Sequence, residues 1–429
     1  MGNRRVLLVA GSLSAAIYLV LAVRLPWWRY GEALQSWAEL LGEDGVTFAL
    51  CLGGAGILVA LYAWGLRCVR AGGADRRTVW AFAIIFAAVL MWLLPITSDL
   101  FAYLSQAHML TDLGANPLLQ APIEVTDPFL RNYPTVYGAR PTVYGPAWVL
   151  LSAVGTAGAH DVATGLFYLK GLAAVAFLAS AWLVERIMLE LRPEAALEGL
   201  YFFAWNPLVL LMAVGDGHND MAMMALALLA IWLLLRERWP LAFGALALSV
   251  WIKYVSLILL PLFAIYAWQC LQREPRRTTL RPLARGWLAA AAVSLAVVAP
   301  LSPLEGLAGA VGRLLRPLNW YAGAGDWPAS ALGVGLAFFS VAYIYLLVRF
   351  WRGCGSFQEL VNSGFVALLL VFLLGAARSQ PWHLLWPATL AGLSSSRKTQ
   401  AVIVGLSALM LAVQVSVEWA VPNIGLLAE

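Results

Sequence analysis

Apolar runs long enough to cross a bilayer recur from one end of this 429-residue chain to the other, separated by short loops that hold most of the charge. A hydrocarbon layer roughly 30 Å thick takes about 20 helical residues to span, and every backbone N–H and C=O inside it must be bonded within the chain. With 62% hydrophobic and 12% charged residues, against about a quarter charged in soluble domains, the chain reads as an all-α polytopic membrane protein. No stretch between the runs is long enough for a soluble domain, so residues 1–429 are expected to form one integral domain.

Hydropathy places crossings near residues 6–23, 46–66, 78–95, 162–189, 200–214, 221–235, 286–301, 331–350, 360–374, 384–393 and 400–420. Residues 240–271 lie between two basic loops on the same side and so need an even number of crossings. They read as two short helices meeting near Trp251-Ile252-Lys253-Tyr254, which brings the total to about 13 transmembrane helices. The first run follows Asn3-Arg4-Arg5 like a signal peptide, but it continues without a small-residue cleavage site and reads as a retained helix.

Of the 28 Lys and Arg residues, 19 fall in loops on the side of the amino terminus, 7 on the other side, and Lys170 and Lys253 within apolar runs. By the positive-inside rule the amino terminus is cytoplasmic. Asp99, Asp112, Glu124, Asp127, Asp216, Asp220, Glu305 and Asp326 all fall on the outer side, where any chemistry is expected. The net charge of +5 comes from these scattered loop residues, not from a basic face or tail, so no nucleic acid is expected as a partner. Cys51, Cys68, Cys270 and Cys354 show no CxxC spacing, and neither a disulfide nor zinc is expected.

The longest outer loop, residues 98–146, carries Leu100, Tyr103, Leu104 and Ala107 at helical spacing, as an amphipathic helix lying on the membrane would. Residues 148–154 suggest a second surface helix. A second outer feature is Gly215-Asp216-Gly217-His218-Asn219-Asp220, a polar turn between two apolar runs. Two acids, an imidazole and an amide are costly there unless solvated or paired; a wet turn with an Asp helix cap is the plain alternative. On the same side stand Asp99, the segment Gly375-Ala376-Ala377-Arg378-Ser379-Gln380-Pro381-Trp382-His383, and Lys253 at the tip of the short helix pair. Carboxylates able to take a proton and cations able to hold an anion are the two parts needed to move a group from a phosphate ester to a hydroxyl.

Four motifs in order carry a family resemblance: Ser98-Asp99-Leu100-Phe101-Ala102-Tyr103 with Gln106, Tyr144-Gly145-Pro146, Trp205-Asn206-Pro207 leading to Gly217-His218-Asn219-Asp220, and Gln380-Pro381-Trp382-His383-Leu384-Leu385-Trp386. The chain resembles GT-C superfamily glycosyltransferases, in particular bacterial polyprenyl-phosphate-mannose-dependent α-(1,6)-mannosyltransferases. The resemblance implies a GT-C fold with a long first outer loop carrying surface helices. It implies transfer of a sugar, mannose first, from a polyprenyl phosphate to a hydroxyl of a glycan or glycolipid acceptor, with inversion. The site would lie on the extracytoplasmic side of a bacterial plasma membrane. Asp99 takes the place of the family's general base. Arg378, Lys253 and Lys170 are candidates for the donor phosphate, and the apolar short hairpin would suit a polyprenyl chain. Tyr103, Gln106, Tyr144, Asp216, His218, Asn219, Asp220, Trp320, Tyr321, Gln380, Trp382 and His383 are candidates for the sugar or acceptor pocket.

Each candidate has a plainer reading. Asp99 could cap a helix starting at Leu100, Lys253 could snorkel to an interface, and Arg378 could neutralise helix-end carbonyls. Lys170 could form a structural ion pair as readily as a ligand contact, and Trp320 and Tyr321 could be belt aromatics instead of sugar-stacking ones. His218 and His383 read as hydrogen-bonding residues and not as metal ligands. No cofactor is expected beyond the lipid-linked sugar, and the loop after Ser98 lacks the Asp-x-Asp pair of the metal-dependent oligosaccharyltransferase branch. Three further readings stay open: another polyprenyl-phosphate sugar as donor, a transporter or lipid flippase with Lys170 and Lys253 along its path, and a subunit that has lost catalysis.

Overall fold

The computed structural model of the chain describes residues 3–30, 44–125, 140–159, 161–273, 280–301, 329–353, 355–375 and 380–424. Their regular elements are helices, with one isolated bridge between Pro26 and Leu93. The first half contains α1 (Asn3–Arg24), α2 (Gly45–Arg70), α3 (Arg76–Leu90), α4 (Asp99–Thr111), α5 (Pro146–Thr156), α6 (Val162–Leu191), α7 (Ala196–Ala204) and α8 (Pro207–Leu210), the last running into a π turn over Leu211–Gly215. The second half contains α9 (Asp220–Leu235), α10 (Trp239–Ile252), α11 (Leu259–Arg273), α12 (Arg281–Val298), α13 (Ala329–Arg352), α14 (Phe357–Leu370), α15 (Leu385–Ala391) and α16 (Arg397–Ile424).

Local chemistry sets where several of these helices begin. Asp44, Asp75 and Asp161 each accept a backbone N–H of the first turn of α2, α3 and α6, satisfying donors that have no partner within the helix. Ser356 and Glu359 form a reciprocal capping box at the start of α14.

Among the described residues, seven helices are long and apolar enough to cross a membrane. An eighth span is the bent pair Pro193–Ala204 and Pro207–Gly215, which turn 54° from one another. Trp205-Asn206-Pro207 makes that bend. Pro207 has no N–H to continue the helix, so Asn206 restarts it, its Oδ1 accepting from Leu208 N at 3.0 Å and Val209 N at 3.4 Å. Its amide Nδ2 donates to Ser407 Oγ of α16 at 3.1 Å, and Trp205 Nε1 donates to the Val79 carbonyl at 3.0 Å. The hinge is thereby fastened on two sides, and its far arm ends at Asp216.

The shorter apolar helices α5, α9, α10 and α14 pack within the bundle, with α10 lying against both α9 and α12. Lys253 separates α10 from the 3-10 turn Tyr254–Ile258 that leads into α11, so the two short helices foreseen over residues 240–271 meet at the foreseen place. Burial differs widely between spans. In α6 61% of the apolar window is buried, whereas in the spans Arg281–Leu301 and Val334–Arg352 the figures are 6% and 11%. Exposed side chains such as Leu288, Leu295 and Val341 therefore mark lipid-facing helices.

The first long loop departs from expectation in one respect. Helix α4 forms where the periodicity places it, but residues 99–107 are buried on every side because α5 and α6 cover the face that was expected to meet water. The second helix, α5, is likewise packed, with Trp148 only 2% exposed.

Candidate active site

The π turn at the end of α8 leaves its last carbonyls, those of Val214 and Gly215, to be satisfied from outside the helix. Lys170 supplies them: its Nζ donates to Gly215 O, to Leu90 O at 3.3 Å and to Val214 O at 3.5 Å. This side chain is 0% exposed, and Lys170, a donor-phosphate candidate in the sequence, here fastens α6 to α3 and the turn. Next in the chain, Asp216 is also wholly buried, and its Oδ1 accepts from Thr97 N at 2.8 Å. Thr97 Oγ1 adds contacts of 3.3 Å to both carboxylate oxygens. Gly217 has φ +72°, and a Cβ there would stand 2.6 Å from Leu100 Cδ1, so only glycine serves at this step.

That geometry delivers His218 between two acids. Its Nε2 lies 2.7 Å from Asp216 Oδ2 and its Nδ1 3.2 Å from Asp99 Oδ2, with all three side chains within a buried pocket. Neither ring nitrogen has the angle of a straight hydrogen bond, so these are close contacts of an imidazole with two carboxyl groups. The Trp382 ring stacks on the imidazole at 4.3 Å and 20°. Burial pulls the imidazole pKa down, but Asp216 and then Asp99 outweigh it and hold it at about 9. Asp99 itself is the first residue of α4, with Ser98 at the cap position. Its carboxylate turns to His218 instead of capping a helix that begins at Leu100.

A second pair stands beside the first. Asp220 opens α9, and both its oxygens lie 2.8 Å from Lys253 Nζ. Trp386 Nε1 also donates to Asp220 Oδ1, and the Lys253 ammonium stands 5.7 Å over the Trp386 ring. His383 stacks on Trp386 at 4.6 Å, and its Nδ1 accepts from Gln380 N at 3.3 Å. Burial, then Lys253, depresses the His383 pKa to about 3, in keeping with a ring nitrogen that accepts a proton donor.

Between the pairs, Asn219 is 1% exposed and neither end of its side-chain amide has a hydrogen-bond partner among the described residues. Its backbone N–H donates to the Tyr103 hydroxyl at 3.4 Å. Tyr103 is held edge-on by Tyr144 at 4.8 Å and Trp148 at 4.9 Å. Gln106 accepts from Thr142 Oγ1 at 2.8 Å and so braces the returning loop. The loop then presses Gly145 against α10: Gly145 N donates to Ile252 O at 3.1 Å, and a Cβ at Gly145 would stand 1.9 Å from Trp251 O. Tyr144-Gly145-Pro146 therefore sets the backbone next to Lys253.

Of the residues singled out in the sequence, Asp99, Tyr103, Tyr144, Asp216, His218, Asn219, Asp220, Lys253, Gln380, Trp382 and His383 are gathered at one end of the bundle. Arg378, Trp320 and Tyr321 lie outside the described residues. Thr97 was not among the candidates read from the sequence, and Trp386 stood there within the fourth motif without a site role. Thr97 could have been noticed as the polar residue just before Ser98-Asp99, and Trp386 as the aromatic one turn after His383. Among the described residues, no three His, Cys, Asp or Glu side chains are arranged to hold a metal ion.

A polytopic helical membrane protein with buried carboxylates and cations converging at one end of the bundle has the makings of a membrane group-transfer enzyme. Residues 4–269 match the family described as alpha-(1->6)-mannopyranosyltransferase, N-terminal domain, and the chain belongs to that family as a GT-C glycosyltransferase. The match includes Asp99, the 216–220 turn and Lys253, and ends before the Gln380 to Trp386 segment. Alpha-(1->6)-mannopyranosyltransferase A of Mycobacterium tuberculosis is 29% identical over 439 aligned residues, covering 94% of this chain and 81% of that protein. The enzyme of the same name from Corynebacterium glutamicum is 26% identical over 192 residues, 44% of this chain and 38% of its own length. Alpha-(1->6)-mannopyranosyltransferase B of the same organism is 23% identical over 355 residues, 72% of this chain and 57% of its own. These relatives support mannosyl transfer as the general activity.

Proposed function

We propose that the chain transfers mannose from a polyprenyl-phosphate donor to a hydroxyl of an extracytoplasmic glycan or glycolipid, forming an α-(1→6) linkage with inversion and using Asp99 as general base. The observation that carries this reading is the state of Asp99. It is a buried carboxylate, 5% exposed, whose Oδ2 faces His218, one residue from the unpartnered Asn219 amide. A buried carboxylate within a cluster of polar groups is suited to take a proton from a bound hydroxyl.

In the step itself, the acceptor oxygen attacks the anomeric carbon as its proton passes to Asp99 Oδ1. The bond from that carbon to the phosphate oxygen breaks, and polyprenyl phosphate leaves with the electron pair. General base catalysis of this kind contributes about 10²- to 10⁴-fold. The leaving group needs charge stabilisation, for which Lys253 and Arg378 are the candidates. Lys253 is 17% exposed in its side chain and uses Asp220 as its buried counter-ion. Tyr103, Asn219, Gln380 and Trp382 would meet the sugars.

The test uses purified full-length protein in nanodiscs, a panel of labelled polyprenyl-phosphate sugars and an alkyl α-mannoside as acceptor, with the product linkage determined. Mannose transfer by the wild type and its loss in Asp99→Asn, with donor binding kept, is the expected result. Transfer of another sugar in preference, or turnover by Asp99→Asn near the wild-type rate, overturns the corresponding part.

A further inference from the structure

We infer that His218, as an imidazolium between Asp216 and Asp99, is a positioning residue for the transfer reaction: it fixes the Asp99 carboxylate through Oδ2 and leaves Oδ1 for the acceptor proton. The inference rests on Asp99 as the base.

Simple valence supports the charge. A neutral imidazole carries one N–H, so with a carboxylate at each nitrogen one lone pair would face an anion. The distances of 2.7 and 3.2 Å leave no room for a water between either pair. A protonated ring carries an N–H on both of these nitrogens and its positive charge within 2.7 and 3.2 Å of the two acids, and a cation between two buried carboxylates is what their burial demands. Two further features hold the ring in place. Thr97 and the turn at Gly217 fix Asp216 from behind, and Trp382 stacks on one face of the imidazole.

The surrounding charges are accounted for on every packed element. Asp99 faces His218 from α4, Asp216 and Asp220 from its own turn, and His383 from beside Trp382. Lys170 of α6 and Glu418 of α16 act on Asp216, and Lys253 acts on Asp220. In this setting the imidazole keeps its proton to about pH 9. Its charge is present below that value and is lost as the pH rises through it.

A positioning cation and a merely structural ring differ in the pH profile of transfer. The experiment measures kcat and kcat/KM from pH 5 to 10 for wild type, His218→Gln, Asp216→Asn and Asp99→Asn in nanodiscs, with polyprenyl-phosphate mannose and an alkyl α-mannoside. Wild type is expected to lose activity as the pH passes about 9. His218→Gln should lack that alkaline limb. Its kcat at pH 7 should fall about 10- to 100-fold with the donor KM nearly unchanged. Asp216→Asn keeps the ring but removes one anion, so its alkaline limb should move down from the wild-type position; this arm decides the matter if His218→Gln fails to fold. A His218→Gln profile parallel to wild type, or an unmoved alkaline limb in Asp216→Asn, overturns the inference. Turnover by Asp99→Asn overturns the reading of Asp99 itself, whereas an inactive Asp99→Asn with unshifted profiles in the other two sinks only the role of His218.

Discussion

The two ends of the helix bundle both contain buried carboxylates, and they treat them in opposite ways. Near the start of α3, Glu185 receives Arg76 at 2.5 and 2.7 Å and Trp80 Nε1 at 3.1 Å, so both its oxygens are matched. Close by, Arg70 spans Glu198 at 2.7 Å and Gln400. Each acid there has its own arginine, and the Arg76 side chain remains 62% exposed. At the other end, Asp99 and Asp216 share one imidazole, Asn219 has an unpaired amide, and Asp99, Asp216, His218 and Asn219 are all no more than 5% exposed. A fully matched pair leaves no buried oxygen without a partner and is costly to break, whereas a buried cluster with unmet donors and acceptors costs stability and has capacity for a ligand.

The sharpest way to break this contrast is to remove one acid from each end. Asp99→Asn should lower transfer about 10²- to 10⁴-fold while the melting temperature holds or rises, since one of two anions sharing a cation is neutralised. Arg76→Ala should do the reverse. Leaving Glu185 buried without its partner costs about 1–3 kcal/mol, seen as a lower melting temperature with kcat per folded molecule unchanged. Stability loss in the first, or loss of kcat in the second, would erase the distinction between the ends.

The next effect tests whether the reactive end depends on backbone fit. Gly145→Ala would drive a Cβ into the Trp251 carbonyl, 1.9 Å away, and neither backbone is the flexible end of a side chain. The α10 tip should shift and take Lys253 with it, lowering kcat by about 100-fold, the scale of a 1 Å misplacement at a reacting centre. Gly56 faces open space in α2, so Gly56→Ala is the matched control and should leave both kcat and melting temperature near wild type.

These contrasts were unequally visible in the sequence. The apolar runs announced the spans because their composition alone decides them, and the basic loops flanking residues 240–271 forced two short helices that meet at Lys253. Trp205-Asn206-Pro207 and the 216–220 turn could be seen as motifs, but the bend that aims one at the other comes from a proline break fastened to α3 and α16. Lys170 stood out as a cation too expensive to bury alone. Its partners are carbonyls of a π turn and of the end of α3, which no side-chain pattern advertises. Burial of α4 was hidden for a similar reason. Residues such as Ser105 and Gln106 read as a wet face until α5 folds over them.

A smaller effect separates sugar reading from catalysis within the same end. Asn219 offers an amide donor and acceptor with no partner among the described residues, so Asn219→Ala should weaken substrate use about tenfold, the equivalent of roughly 1.4 kcal/mol. The loss should fall on KM more than on kcat, because the amide is placed to bind and not to move a proton. A pure kcat loss would assign it to the reacting centre.

The smallest predicted effect is on stability against pH, and it separates the ends without any substrate. The His218 pKa is about 9 in the folded protein against 6.5 ordinarily, so folding takes up a proton over that interval. Its stabilising contribution is complete below about 6.5 and is lost progressively as the pH climbs to about 9. The pairs at the opposite end join arginine to glutamate, neither of which ordinarily titrates in this window. Wild-type melting temperature should therefore decline between pH 7 and 9, and Arg76→Ala should show a parallel decline from a lower starting value. His218→Gln should lose the slope. Asp216→Asn should show a shallower slope that ends at lower pH, since one of the two anions raising the imidazole is gone. A slope that persists in His218→Gln would place the proton uptake elsewhere and remove the electrostatic difference between the two ends.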